Sequence, residues 1–195
     1  MTKQSCRISK IFKVIPSKLI RFLLFFVTFF WVSYTSAFSL NTGKGILVLP
    51  EFNEGTLGKY VQYFQEHDGK LSLAQARQKF ASSTVKEGSN NSISLGLGVD
   101  PVWMKFTVKN TRVIEQHYRL SIETPWLDYI DTWLIKDGNV LHHIQGGDAY
   151  PFEQRPMPYR FYAFEYPYVQ GETDVFIRIE SKGPMAVPIQ FSTIQ

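Results

Sequence analysis

The chain has 195 residues, 44% hydrophobic and 15% aromatic, and its 21 Lys+Arg against 17 Asp+Glu give a formal net charge of +4. The excess is confined to the start: six basic and no acidic residues precede residue 38, so the other 158 residues carry 15 bases against 17 acids. The basic excess is therefore no evidence for nucleic acid or an anionic surface, the remainder having a net charge of −2. With the single cysteine, Cys6, in the leader, that remainder has no disulfide, thiol nucleophile or zinc–thiolate site.

Residues 1–37 read as a signal peptide. A basic segment with Lys3, Arg7, Lys10, Lys13, Lys18 and Arg21 precedes the apolar run Phe22 to Tyr34, and Thr35-Ser36-Ala37 supplies the small residues of a cleavage site. The rival, an uncleaved anchor, needs a run nearer 20 residues. Residues 38–195 are then one exported, periplasmic domain, long enough for its own core.

Gly45 to Leu49 is a short strand closed by Pro50. Leu57 to Glu66 satisfies helical and strand spacing alike. Ser72-Leu73-Ala74-Gln75 fits a capping box, which opens a helix to about Phe80. Ala81 to Ser92 is small and polar, a surface loop. Strands follow at Ile93 to Leu97, Val102 to Val108 and Tyr118 to Ile122, the last two with clean alternation. Leu127 to Lys136 and Val140 to Ile144 make a hairpin about Asp137-Gly138-Asn139. Arg160 to Tyr166 is aromatic on both faces and is expected inside a sheet; Val175 to Ile179 and Val187 to Ile194 close the domain. Eight or nine short strands and one short helix predict an all-β, antiparallel sandwich, jelly-roll-like.

Between Gly147 and Tyr159 lie 13 residues with three prolines. A loop of that length in a small domain is often functional. Asp148, Arg155 and the adjoining Arg160 stand among Tyr150, Phe152 and Tyr159, hydrogen-bonding groups beside stacking faces. Such a loop suits a polar ligand such as a sugar, and equally suits pinning itself down. Trp103 and Trp133 occupy the more polar faces of their strands, and Trp126 precedes the hairpin. Each indole is a candidate platform for a sugar ring or a side chain packed beneath a loop. The candidate ligand-binding set is therefore Trp103, Trp126, Trp133, Asp148, Arg155 and Arg160.

No catalytic or metal constellation is found, and no cofactor is implied. His142 and His143 are adjacent on a strand and leave by opposite faces. Asp128 and Asp131 are three apart and do so too, which removes them as a glycosidase pair. Gly146-Gly147-Asp148 opens like the signature of diguanylate cyclases but continues Ala149-Tyr150.

Several short stretches, in order and spacing, carry a family resemblance. They are Gly58-Lys59-Tyr60 with Asp68, Leu97-Gly98, and Val102-Trp103-Met104-Lys105-Phe106 running to Asn110. Pro125-Trp126-Leu127-Asp128, Gly147-Asp148 before Pro151-Phe152, Arg155, and Val175-Phe176-Ile177-Arg178 with Ser181 complete the set. From Leu47 to Phe191 the chain resembles the type 2 extracellular domain of bacterial seven-transmembrane receptors with diverse intracellular signalling modules (7TMR-DISM). The resemblance implies a periplasmic sensor with a fold like that of carbohydrate-binding modules, and a carbohydrate or similar small polar ligand. It also implies a seven-helix membrane bundle and a cytoplasmic signalling module as partners. The rivals are an interaction scaffold without a ligand and a stand-alone exported carbohydrate-binding module.

Overall fold

The computed structural model describes residues 45–67, 69–82 and 84–194. The leader expected at residues 1–37 lies outside the described residues, as does Asp68. Thirteen strands are present among the described residues: β1 (Ile46–Leu49), β2 (Glu54–Thr56), β3 (Gln62–Gln65), β4 (Lys86–Glu87), β5 (Ile93–Gly96), β6 (Val102–Asn110), β7 (Gln116–Ile122), β8 (Tyr129–Lys136), β9 (Asn139–Gly146), β10 (Tyr162–Tyr168), β11 (Gly171–Glu180), β12 (Met185–Val187) and β13 (Ile189–Thr193). One α-helix, α1 (Leu73–Ala81), joins them.

Seven strands form one sheet in the order β4-β3-β6-β11-β8-β9, with β1 pairing parallel to the far half of β6. Four form a second, β10-β7-β13-β2, and β12 with β5 makes a two-stranded flank. Apart from β1 the pairing is antiparallel, and the described residues form a jelly-roll-like β-sandwich with one α-helix. Alternation decides which side chains meet inside. Val102, Met104, Phe106 and Val108 of β6 and Val175, Ile177 and Ile179 of β11 face Tyr118, Leu120 and Ile122 of β7 and Phe191 of β13 in one buried cluster.

The ambiguous segment resolves into a 3₁₀ turn, Gly58–Tyr60, and then β3. The capping box forms: the Gln75 N–H donates to Ser72 Oγ at 3.4 Å and the Ser72 N–H to Gln75 Oε1 at 2.9 Å. The surface loop over Ala81 to Ser92 contains β4 and the close approach of Gly88 to Gly58. The strand aromatic on both faces, β10, is an edge and not an interior strand. Tyr162, Phe164, Tyr166 and Tyr168 point inward while Glu165 and Pro167 face out. Pro167 has no N–H for a second neighbour, which fits an edge.

The outer face of the seven-stranded sheet is also covered. Helix α1 lays Ala76 and Phe80 over Phe64 and Phe176, with Trp103 and Ile135 in the same cluster. Within this second layer sits a buried ion pair. Arg178 donates from Nε to Glu66 Oε1 at 3.0 Å and from NH2 to Glu66 Oε2 at 2.8 Å. Trp103 Nε1 donates to the same Oε1 at 2.6 Å, and the Leu71 N–H does so at 3.1 Å. The remaining Arg178 nitrogen, NH1, reaches Glu180 Oε2 at 2.9 Å. Burial pushes the Glu66 carboxyl up, but the Arg178 and Trp103 hydrogen bonds, the Leu71 N–H and the Arg178 charge outweigh it and hold it below its ordinary 4.5.

Candidate functional site

Because β11 runs antiparallel to both β6 and β8, the start of β6, the start of β8 and the end of β11 share one end of the sandwich. The 147–160 loop leaves β9 at that end too. Its first residues are tied to the hairpin: the Asp148 N–H donates to the Leu127 carbonyl at 2.7 Å and the Ala149 N–H to the Asp128 carbonyl at 3.0 Å. Gly147, at φ +123°, makes this possible, since a Cβ there would overlap the Asp128 carbonyl. Gly147→Ala is expected to cost about 2–3 kcal/mol through the clash and the left-handed backbone. Urea denaturation measures it, and a loss under about 1 kcal/mol would show that the loop accommodates the methyl group.

The rest of the loop is committed to itself. Arg155 NH1 donates to the carbonyls of Tyr159 at 3.1 Å and Arg160 at 3.0 Å, and its guanidinium lies over the Phe152 ring at 4.8 Å. Asp148, Arg155 and Arg160 do come together around one cavity, with Thr124 and Tyr162. Its volume is about 10 Å³, space for one water at most. Burial pushes the Tyr162 hydroxyl far above its ordinary range, and that hydroxyl reaches Thr132 Oγ1 and the Ile144 carbonyl, each at 3.1 Å. This loop pins itself down, and no sugar fits beneath it.

Two of the three indoles are covered as well. Trp103 is 1% exposed, roofed by the α1 layer and held by Glu66. Trp133 is covered on both faces. Trp103 of β6 stacks from one side at 5.1 Å and His143 of β9 from the other at 4.6 Å, the strands lying on opposite sides of β8. His143 Nε2 and Gln145 Nε2 each lie 2.8 Å from Asp131 Oδ1, fixing the outermost ring of the stack. Trp126 remains 48% exposed, its Nε1 donating to the Pro184 carbonyl at 2.9 Å.

A larger concavity at the same end was not anticipated from the sequence. About 280 Å³ in volume, it is walled by Val99, Asp100 and Pro101 before β6, Asp128 and Tyr129 at the start of β8, and Glu180, Ser181 and Lys182 at the end of β11. Among the described residues, each carboxylate is engaged once. Asp100 Oδ2 lies 2.9 Å from His67 Nδ1, Asp128 Oδ2 accepts the Lys182 N–H at 2.7 Å, and Glu180 accepts from Arg178. A carboxylate offers about four lone-pair sites, so all three keep acceptor capacity for hydroxyl donors. Tyr129, 46% exposed, is steadied edge-to-face by Tyr150 at 5.9 Å. The wall also holds one cation, Lys182, and among the described residues no group of three or more His, Cys, Asp or Glu could hold a metal. The signal for this site lies in strand ends, and only the order β6-β11-β8 brings them together.

A family model described as 7TMR-DISM extracellular 2 matches residues 58–193. Among solved structures, the chain is similar to a family 35 carbohydrate binding module from Clostridium thermocellum. The identity is 10%, the match covers 69% of this chain and 92% of that one, and the TM-score is 0.32. It is also similar to CsCBM6-3 from Clostridium stercorarium in complex with cellobiose, at 16% identity, 68% and 93% coverage and a TM-score of 0.27. No curated protein matches the chain.

Proposed function

Because the chain belongs to the 7TMR-DISM extracellular 2 family, an extracellular sensor domain, we propose that it is the ligand-recognising part of a periplasmic sensor on a membrane signalling receptor, taking a carbohydrate or similar small polar ligand. The observation that carries the proposal is the pocket between the strand ends. At about 280 Å³ it sits just under the usual range of about 300–1,000 Å³ for small-molecule sites, the scale of a small ligand. Its acceptors outnumber its donors, which favours a hydroxyl-rich molecule over an anion. Tyr129 supplies a flat apolar surface for the C–H face of a sugar ring, and Asp100, Asp128 and Glu180 accept its hydroxyls. Trp126, Asp148 and Arg160 serve as outlying contacts at the same end. Glu180 couples the ligand to the interior, since it shares Arg178 with buried Glu66. The domain is assigned recognition and no reaction.

The test is calorimetry and melting across a panel of neutral mono- and disaccharides, sugar acids and polyols. One or more neutral members should raise the melting temperature. Tyr129→Ala should weaken that ligand about tenfold with little change in the melting of the free protein. A panel in which nothing binds, or an unchanged affinity in Tyr129→Ala, would remove the pocket from the proposal.

A further inference from the structure

The opposite end of the sandwich exposes aliphatic side chains on two neighbouring turns: Val113 at 83% and Ile114 at 74% between β6 and β7, and Val169 at 41% between β10 and β11. These turns are clamped by one side chain. Asn110, 1% exposed, donates from Nδ2 to the Ile114 carbonyl at 3.0 Å and the Tyr168 carbonyl at 2.8 Å, and its Oδ1 accepts the Arg112 N–H at 2.9 Å. Lys136 Nζ holds the second turn from the other side, donating to the Gln170 carbonyl at 2.7 Å. The aliphatic tips are therefore presented by a fixed frame and do not trail on mobile loops. Isolated exposed aliphatics are ordinary on a protein surface; a rigid group at one end marks a contact.

Charge and direction narrow the partner. Lys109 is paired with Glu172 at 3.1 Å, and His117 with Glu115 at 2.9 Å. Arg112 on the first turn and Lys136 beside the second add cations, and Glu51, which with Arg112 acts on the Tyr118 hydroxyl, adds an acid, so the rim is of mixed sign around the aliphatic tips, as suits the headgroup layer of a bilayer. Strand β13 runs toward this end, its Thr193 opposite Tyr118 and the Ile194 N–H on the His117 carbonyl at 3.4 Å. A polypeptide continuing from β13 would leave beside these tips. We propose that this end faces the membrane, with Val113, Ile114 and Val169 resting in the headgroup region of a lipid bilayer. The inference rests on the membrane-receptor reading above but is independent of the pocket.

The experiment follows amide hydrogen exchange of the full chain with and without mixed phosphatidylethanolamine and phosphatidylglycerol vesicles. Exchange across 111–115 and 169–170 should slow several-fold with vesicles while 98–101 and 147–160 stay unchanged. A local readout is chosen because another part of the chain touching the vesicle would not mimic it. Val113→Asp with Ile114→Asp should abolish the protection, the bound fraction at these turns falling about tenfold. Unchanged exchange with vesicles overturns the proposal. So does protection that rises with protein concentration alone, which would assign the tips to a second copy of the chain. If vesicles fail while a saccharide still raises the melting temperature, the membrane contact falls and the sensor reading stands.

Discussion

Glu66→Ala is expected to lower the unfolding free energy by about 3–5 kcal/mol, because it removes one partner of a buried ion pair and strands the other. Both residues are about 4% exposed. Arg178 would keep only Glu180, while Trp103 Nε1 and the Leu71 N–H would lose their acceptor under the α1 layer. Glu66→Gln retains an oxygen for Trp103 and should cost less. The pair also sets a pH limb. The folded carboxyl titrates below its ordinary value of 4.5, so the unfolded chain takes up the proton first as pH falls. Its contribution is complete above about pH 4.5 and is lost as pH drops through the depressed folded value. Urea titrations at neutral and acid pH measure both effects. A loss under about 1 kcal/mol, or an acid limb of equal steepness in Glu66→Gln, would show that the pair behaves as a solvated one.

Phe191→Ala should cost a comparable amount, about 3–5 kcal/mol, from lost transfer energy and the cavity left behind. Phe191 is fully buried in β13, the strand between β7 and β2. It stacks on Tyr118 with ring centroids 4.6 Å apart, meets Tyr168 edge-on at 5.6 Å and touches Phe52 at 6.2 Å. Tyr118 in turn donates its hydroxyl to the Phe52 carbonyl at 2.9 Å, tying down the segment before β2. The three-residue β2 has β13 as its ladder partner and should fray first. Faster amide exchange at Gly55 and Thr56, alongside the drop in urea midpoint, is the expected pattern. A cost below about 1.5 kcal/mol would mean that the aromatic cluster collapses to fill the space.

The fold was legible wherever the deciding physics is local. Val102, Met104, Phe106 and Val108 announce β6 by alternation, and Ser72 with Gln75 announces α1 by its cap. Asp137 and Gly138, at φ 50° and 81°, make the tight hairpin turn their types favour. Strands of two or three residues, β2, β4 and β12, carry too few side chains to show a period. The position of β10 at an edge was signalled by Pro167 but masked by its aromatics. The candidate binding surface was hardest to read because it depends on which strands become neighbours. Trp103 and Trp133 sit on the expected outer face, yet the sequence does not tell that α1 and β9 close over them. Asp128 and Glu180 are 52 residues apart by number and meet only because β11 returns antiparallel beside β8. The resemblance to the receptor family, carried by Gly58, Trp103, Asp148 and Arg178 among others, is borne out by the match over residues 58–193.

Strand β11 is ten residues long, about 33 Å at 3.3 Å per residue, and it reaches from the turn beside Val169 to the wall of the pocket. It is laddered to β6 from Gly171 to Ile179 on one side and to β8 from Asp174 to Glu180 on the other. A pull along its axis loads those ladders in shear, so many bonds share the strain at once instead of parting one by one. The sandwich is stiff in this direction, and a displacement imposed at one tip arrives at the other with little lost to stretching. What such a body can hand on is tilt or translation of the whole.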